Sequence, residues 1–404
     1  MNSSSSNLTP TQEKLILSAL FIILFALEVV VVQHFFTSVV AGANDFYSRW
    51  YGAKAWILEG RDPYGLDVTA EIMPKLGFGP EEAARAAFAY PLPVVFTFWP
   101  LVYLPYDWTQ AFWWVTVQWL AVGMAMGLLA WKRLQPRPLT MAAIVLAMLF
   151  FYPVTRTIFL GQFTVHVAFL VIMTLVMLDR GRDGWAGIFL SATSIKPQMV
   201  ILIGPWLVLW AIGQRRWRFL GGLLGGGAGL FLTSWALFPR WPISFFEEIQ
   251  RYQQVAGGRN PLSLLLATLW PSYPPILLTL FSVSLVGVML YTWWQGWQKT
   301  GPLAERALFW TITVGMLVTF QTGTTNYTLL TIPFFVWLVQ AQKRWSSHFT
   351  ILFVLGVEVL AWAVFLATIS GDFENPLLFL PYPFITLLVL LGQWLAYRRH
   401  VVST

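Results

Sequence analysis

The sequence predicts an all-α, polytopic membrane protein, and three observations carry that prediction. Of its 404 residues, 57% are hydrophobic and only 11% charged, against roughly 25% charged in ordinary soluble domains. Apolar runs of about 15–25 residues recur along the whole length, each suited to a bilayer-spanning helix, with room for about eleven or twelve. The net charge of +7 is divided among short clusters between those runs, as in cytoplasmic loops, and is not gathered into a patch for nucleic acid. Backbone groups in hydrocarbon must be satisfied within the protein, which favours helices. With no cysteine in the chain, disulfides, thiolate chemistry and Cys-based metal sites are excluded.

Taken in order, residues 1–13 read as a polar, disordered cytoplasmic tail and 14–404 as one transmembrane domain. The first apolar run, from about Lys14 to about His34, lacks a small-residue cleavage site and reads as a retained span. Residues 37–107 form the largest polar region, and alternation places them outside. Within "NDFYSRWYGAKAWILEGRDPY" a helix is expected from Asn44, with Asn44 or Asp45 as its cap. Phe46, Trp50, Ala53 and Ile57 recur at helical spacing, so this helix is amphipathic and suits the interface. Gly60 is the expected stop and RDPYG a turn. The run "YPLPVVFTFWPLVYLP" (90–105) is interrupted by four prolines and reads as an interfacial or re-entrant piece; the alternative, that it crosses, would put Lys132–Arg137 outside, against the positive-inside rule. Residues 108–131 then cross.

The basic clusters Lys132/Arg133/Arg137, Arg180/Arg182, Arg215/Arg216/Arg218, Lys299/Arg306, Lys343/Arg344 and Arg398/Arg399 can all lie inside in one topology. Residues 156–166, 194–198, 239–275, 320–327 and 370–380 then share the outer face with the first loop. Polar groups thus gather at one membrane surface.

Several residues there are candidates for chemistry, each with a plainer alternative. Asp45 either caps its helix and pairs with Arg49 one turn on, or is a functional carboxylate. Lys196, followed by Pro197, stands inside an apolar run. A lysine at mid-bilayer costs roughly 2.5–3.5 kcal/mol, so it faces a cavity or partner, unless the proline break lets it snorkel. Gly161, Gln162 and His166 form a third group, with Arg156 about one and a half turns earlier. The four histidines are scattered, and no metal-ligand spacing connects them. "GGLLGGGAG" (221–229) lacks the Lys-Ser/Thr of a phosphate loop. Gly221, Gly225 and Gly229 read as a helix-packing face. Glu28 and Glu358 are intramembrane carboxylates, which keeps a transporter or lipid flippase open as the alternative, although no repeat accompanies them.

The first-loop stretch and 90–105, then "FLGQFTVHVAFL", "AGIFLSATSIKPQ", "RNPLSLL" and "NYTLLTIPFF", resemble in order and spacing glycosyltransferase family 87 of the GT-C superfamily, from about residue 40 to about 335. The resemblance implies a GT-C-type fold with 37–107 as the catalytic loop, in a multi-pass protein of the plasma membrane. It implies transfer of a hexose, mannose favoured, from a polyprenyl-phosphate donor to a lipid or glycan acceptor, without nucleotide, metal or other cofactor. Asp45 stands where the family has its acidic base, and Lys196 where a donor-phosphate contact is expected. Arg49, Tyr64, Arg156, Gln162, His166, Asn260, Asn326 and Tyr327 are the further expected substrate contacts. The chain departs from the family pattern at Thr164/His166, where an Asn often follows the Gly-Gln pair, and at Asn326, where some members carry histidine.

Overall fold

A computed structural model describes residues 9–40, 42–79, 86–255, 260–320, 323–342, 347–369 and 374–402. The polar tail up to residue 8 and the Lys343/Arg344 cluster lie outside the described residues, as do the side chains of Arg398 and Arg399. Every regular element among the described residues is helical. The first helix starts earlier than expected. α1 (Pro10–Val32) opens on Thr9, whose hydroxyl accepts from Gln12 N–H while Gln12 Oε1 accepts from Thr9 N–H. That reciprocal pair, with proline at the first helical position, makes a helix start out of residues whose polarity reads as tail.

The first-loop helix α2 (Asn44–Glu59) ends as predicted. Gly60 takes φ +69 and donates its N–H to Ala55 and Trp56 carbonyls. The short α3 (Leu66–Ile72) follows. The proline-broken stretch forms two 3₁₀ turns, Leu92–Thr97 and Trp99–Tyr103, with Leu92, Val94, Val95 and Val102 buried. Next come α4 (Tyr106–Trp131), α5 (Pro138–Phe150), α6 (Tyr152–Leu160), α7 (Thr164–Asp179), α8 (Asp183–Ala192) and α9 (Ile203–Gly213). The remaining helices are α10 (Trp217–Leu237), α11 (Trp241–Val255), α12 (Pro261–Leu269), α13 (Pro275–Gly296), α14 (Pro302–Val318), α15 (Thr331–Gln342), α16 (Ser347–Thr368) and α17 (Pro381–Val402).

The protein is an all-α polytopic membrane protein. Among the described residues, six helices are individually long and apolar enough to cross a bilayer, and α5 with α6, bent by 52°, makes a seventh if counted as one span. Other apolar runs form shorter helices, such as Thr164–Asp179 and Ile203–Gly213. The reason is local: runs in the middle of the chain are broken into shorter helices at Pro153, Gly161 and Pro197. A proline inside a helix removes a donor and clashes with the preceding turn. The bend between α5 and α6 is satisfied from elsewhere, since Tyr152 N–H donates to Glu358 Oε2 at 3.0 Å. Glu28 likewise accepts from Trp119 Nε1 at 2.8 Å. Both intramembrane acids therefore serve helix packing.

The glycine stripe also needs correction. Gly221, Gly225 and Gly229 have open space where a Cβ would stand. It is Gly222 and Gly226 that meet α8: a Cβ at Gly222 would lie 2.1 Å from Gly184 O, and one at Gly226 2.3 Å from Ser191 Oγ. The four-residue spacing is right, displaced by one residue around the helix.

These packings segregate two ends. At one, Lys132 pairs with Glu305 (2.6 Å), Arg133 with Asp179 (3.1 Å) and Arg216 with Asp183 (2.9 Å), and Trp210 Nε1 donates to Lys299 O. The clusters expected inside thus meet one another. At the other end, Ser244 donates to Asp62 (2.7 Å) and Arg251 to Tyr64 O (3.0 Å), tying amphipathic α11 to the first loop. Helices α4, α7 and α8 run between the two ends.

Candidate active site

The site forms where the start of α2 meets the α6–α7 turn and the break between α8 and α9. Gly161 makes the first junction possible. Its φ of +74 suits glycine, and a Cβ there would stand 2.5 Å from Phe46 Cβ and 2.9 Å from Ala43 Cβ. Ala43 precedes α2 in the left-handed region, φ +55, at a cost of about 1–2 kcal/mol. Its N–H donates to Phe159 O (3.0 Å), and Tyr106 Oη reaches the Gly42 and Ala43 carbonyls at 2.8 and 3.0 Å. Below lies an aromatic stack, with Phe46 parallel to Trp113 (centroids 4.2 Å apart) and Trp113 parallel to His166 (4.7 Å).

No side-chain cap closes the start of α2, so Asp45 is not the expected cap. Its carboxylate instead accepts from Gln162 Nε2. Gln162 Oε1 in turn receives Lys196 Nζ at 2.6 Å and Tyr90 Oη at 2.8 Å. Lys196 is 2% exposed and sits in extended backbone between two 3₁₀ turns, Thr193–Ile195 and Pro197–Met199. The helix break therefore does not release Lys196 to solvent but turns it inward. Arg49, 4% exposed, donates to Asp45 O at 2.7 Å and lies 3.8 Å from the Asp45 carboxylate. Its Nε has no hydrogen-bond partner among the described residues. Asp45, Arg49, Gln162 and Lys196 thus come together from three segments, over a sequence separation of some 150 residues.

Tyr90 is the member that the sequence reading passed over. Its ring lies 4.6 Å from the Arg49 guanidinium carbon and 5.7 Å from Lys196 Nζ. The signal was present, since Tyr90 opens the proline-rich run, but tyrosine at a membrane interface reads as an anchor.

The other expected contacts are held elsewhere. Tyr64 is buried, its hydroxyl donating to Tyr90 O at 2.8 Å, so it supports Tyr90 and offers no face to a sugar. Trp50, on the buried face of α2, donates to Leu101 O at 3.0 Å. Arg156 points to Glu374 (3.0 Å), a carboxylate that also accepts from Tyr152 Oη and from Thr324 N–H and Oγ1. Asn260 caps α12 and donates to Val318 O. Asn326 and Tyr327 are buried in the turn Thr324–Leu330, with Tyr327 Oη on Phe379 O. His166 is 9% exposed within its aromatic stack. On α11, burial pushes the Glu248 carboxyl up, while Arg251 beside it and Arg49 pull it back. Among the described residues no group of three or more His, Asp or Glu is placed to hold a metal ion.

The site of this membrane-embedded helical protein is a partly exposed carboxylate beside two buried cations. The chain matches glycosyltransferase family 87 over residues 88–320, more than half its length, and belongs to that family. It is a membrane glycosyltransferase, acting on a sugar donor and an acceptor. The matched span is narrower than the resemblance noted above. It holds Tyr90, Gln162 and Lys196 but begins after Asp45 and Arg49 and ends before Asn326 and Tyr327. Searches among curated proteins and among solved structures returned no match.

Proposed function

We propose that this glycosyltransferase moves a hexose, mannose favoured, from a polyprenyl-phosphate donor to a lipid or glycan acceptor at the outer face of the plasma membrane, with inversion. The observation that carries the reading is the convergence of Asp45, Arg49, Gln162 and Lys196. A polyprenyl phosphate keeps its tail in the bilayer and its anionic head at the surface, so its site must be apolar and ionic together. In the reaction, the acceptor hydroxyl oxygen attacks the sugar's anomeric carbon and its proton passes to the Asp45 carboxylate. The bond from that carbon to the phosphate oxygen breaks, and its electron pair leaves with the polyprenyl phosphate. Lys196 and Arg49 lie where they can stabilise the charge that develops on the phosphate. Gln162 spans the two halves, bonded to the base and to the cation.

The test is transfer in proteoliposomes, offering radiolabelled polyprenyl-phosphate mannose, then other lipid-linked hexoses, with lipid and glycan acceptors. Label should move from the lipid-linked donor and not from nucleotide sugars. Transfer from a nucleotide sugar without a lipid carrier would overturn the reading. The transporter or flippase reading rested on Glu28 and Glu358, and both carboxylates are engaged in helix contacts.

A further inference from the structure

We infer that Tyr90 is a positioning residue that holds the base and both cations in register. The inference rests on the functional reading above. Four contacts carry it, three to groups of the site and one that fixes Tyr90 itself. The hydroxyl donates to Gln162 Oε1 at 2.8 Å. One ring is shared by Arg49 at 4.6 Å and Lys196 at 5.7 Å. The backbone carbonyl is fixed by Tyr64 Oη at 2.8 Å. Two cations drawn together repel, and the negative face of an aromatic ring offsets that repulsion best in a desolvated place. Tyr90 is 4% exposed, which is such a place.

The hydroxyl has a separate task. A glutamine amide can be turned over at little cost in shape, and its orientation is set by its partners. Here Oε1 takes two donors, Lys196 and Tyr90, which leaves Nε2 to face the Asp45 carboxylate. A donor phosphate reaching Lys196 competes with Oε1 for the ammonium. Tyr90 then remains as the donor that keeps the amide from turning its oxygen toward Asp45. Hydroxyl and ring therefore act on different steps, the first on proton removal and the second on phosphate binding.

The experiment uses the full chain, purified in lipid nanodiscs, with two variants. Tyr90→Phe keeps the ring, so binding of polyprenyl phosphate alone and the donor KM should stay within about twofold of wild type. Its kcat should fall about fivefold, the loss of one neutral hydrogen bond. Tyr90→Leu removes the ring as well, and polyprenyl phosphate should bind about tenfold more weakly. A packing role alone would lower stability in both variants and leave kcat and affinity per folded molecule unchanged. If wild type binds polyprenyl phosphate and transfers sugar while both variants match it, the inference is overturned and the functional reading stands. If wild type binds no polyprenyl phosphate, the functional reading falls and takes the inference with it. If Tyr90→Leu does not fold, the kcat-against-KM split in Tyr90→Phe still decides.

Discussion

Replacing Gly161 by alanine tests how the fold makes the site. Two costs arise, and the structure separates them. The first is conformational: alanine at φ +74 costs about 1–2 kcal/mol. The second is steric, because the new Cβ would stand 2.5 Å from Phe46 Cβ and 2.8 Å from Phe46 N. Ordinary contact begins near 3.4 Å, so the start of α2 must retreat by about 1 Å, at roughly 1–3 kcal/mol for overpacking. Gly60 is the matched control, with φ +69 and open space where its Cβ would go. Gly60→Ala should lose only the conformational cost, about 1–2 kcal/mol, and keep its transfer rate. Gly161→Ala should lose about 2–5 kcal/mol. Because Phe46 adjoins Asp45, a displacement of about 1 Å should also cost on the order of a hundredfold in rate. Unfolding titrated with denaturing detergent and transfer per folded molecule measure the two. Equal stability and equal activity in the two variants would refute the reasoning.

Three further predictions follow from the geometry. Lys196→Met should fold and lower donor use about ten- to hundredfold, the worth of a charged hydrogen bond to phosphate; full transfer at normal expression would leave Lys196 only a partner of Gln162. Gly221→Ala should be neutral or stabilise by up to about 1 kcal/mol through helix propensity, whereas Gly222→Ala, aimed at Gly184 O at 2.1 Å, should destabilise by about 1–3 kcal/mol; the same sign in both would contradict the α8–α10 packing. In the first loop, Arg61 pairs with Glu59, Asp67 and Glu71 and holds the Asp67 and Glu71 carboxyls below their usual range. Groups lowered by folding stabilise above their unfolded pKa, near 4, and lose that contribution as pH falls through the folded value. Hydrogen-exchange protection in residues 66–75, taken relative to the intrinsic rate at each pH, should therefore fall from pH 5 to pH 3 in wild type, and Arg61→Gln should show little such change.

Much of this was legible in the sequence because one-dimensional signals carry it. Helical spacing and Gly60 give α2, prolines give the 3₁₀ turns at 92–103, and charge placement gives the two ends. Gln162 and Lys196 stood out because charge or amide is rare in apolar surroundings, and Asp45 because it stands at the start of an amphipathic helix where the family has its acidic base. The role of Asp45 was half-read, since a carboxylate near a helix start signals a cap whether or not it makes one. Which expected contacts turn inward was hidden. Arg156 faces Glu374, a residue more than 200 positions away, and local pattern holds no information on that pairing. Asn260 and Tyr64 read as substrate contacts by type, and nothing local in the sequence shows that one caps α12 and the other bonds to Tyr90 O. Tyr90 escaped notice because its importance lies in what surrounds it, two cations and an amide from three other elements. The breaks within the middle helices were hidden, because an apolar run does not reveal where its backbone bends.

The most direct measurement of the central claim is sugar transfer by Asp45→Asn, reconstituted in lipid with a polyprenyl-phosphate hexose. Asn retains an oxygen to accept from Gln162 Nε2, and Asp45 makes no cap that its loss would undo. The variant should therefore insert, fold and bind donor as wild type does, yet transfer roughly a hundred- to ten-thousandfold more slowly, the usual cost of losing a general base. Transfer above about a tenth of wild type, far outside that expected loss, would contradict the account and place the base elsewhere.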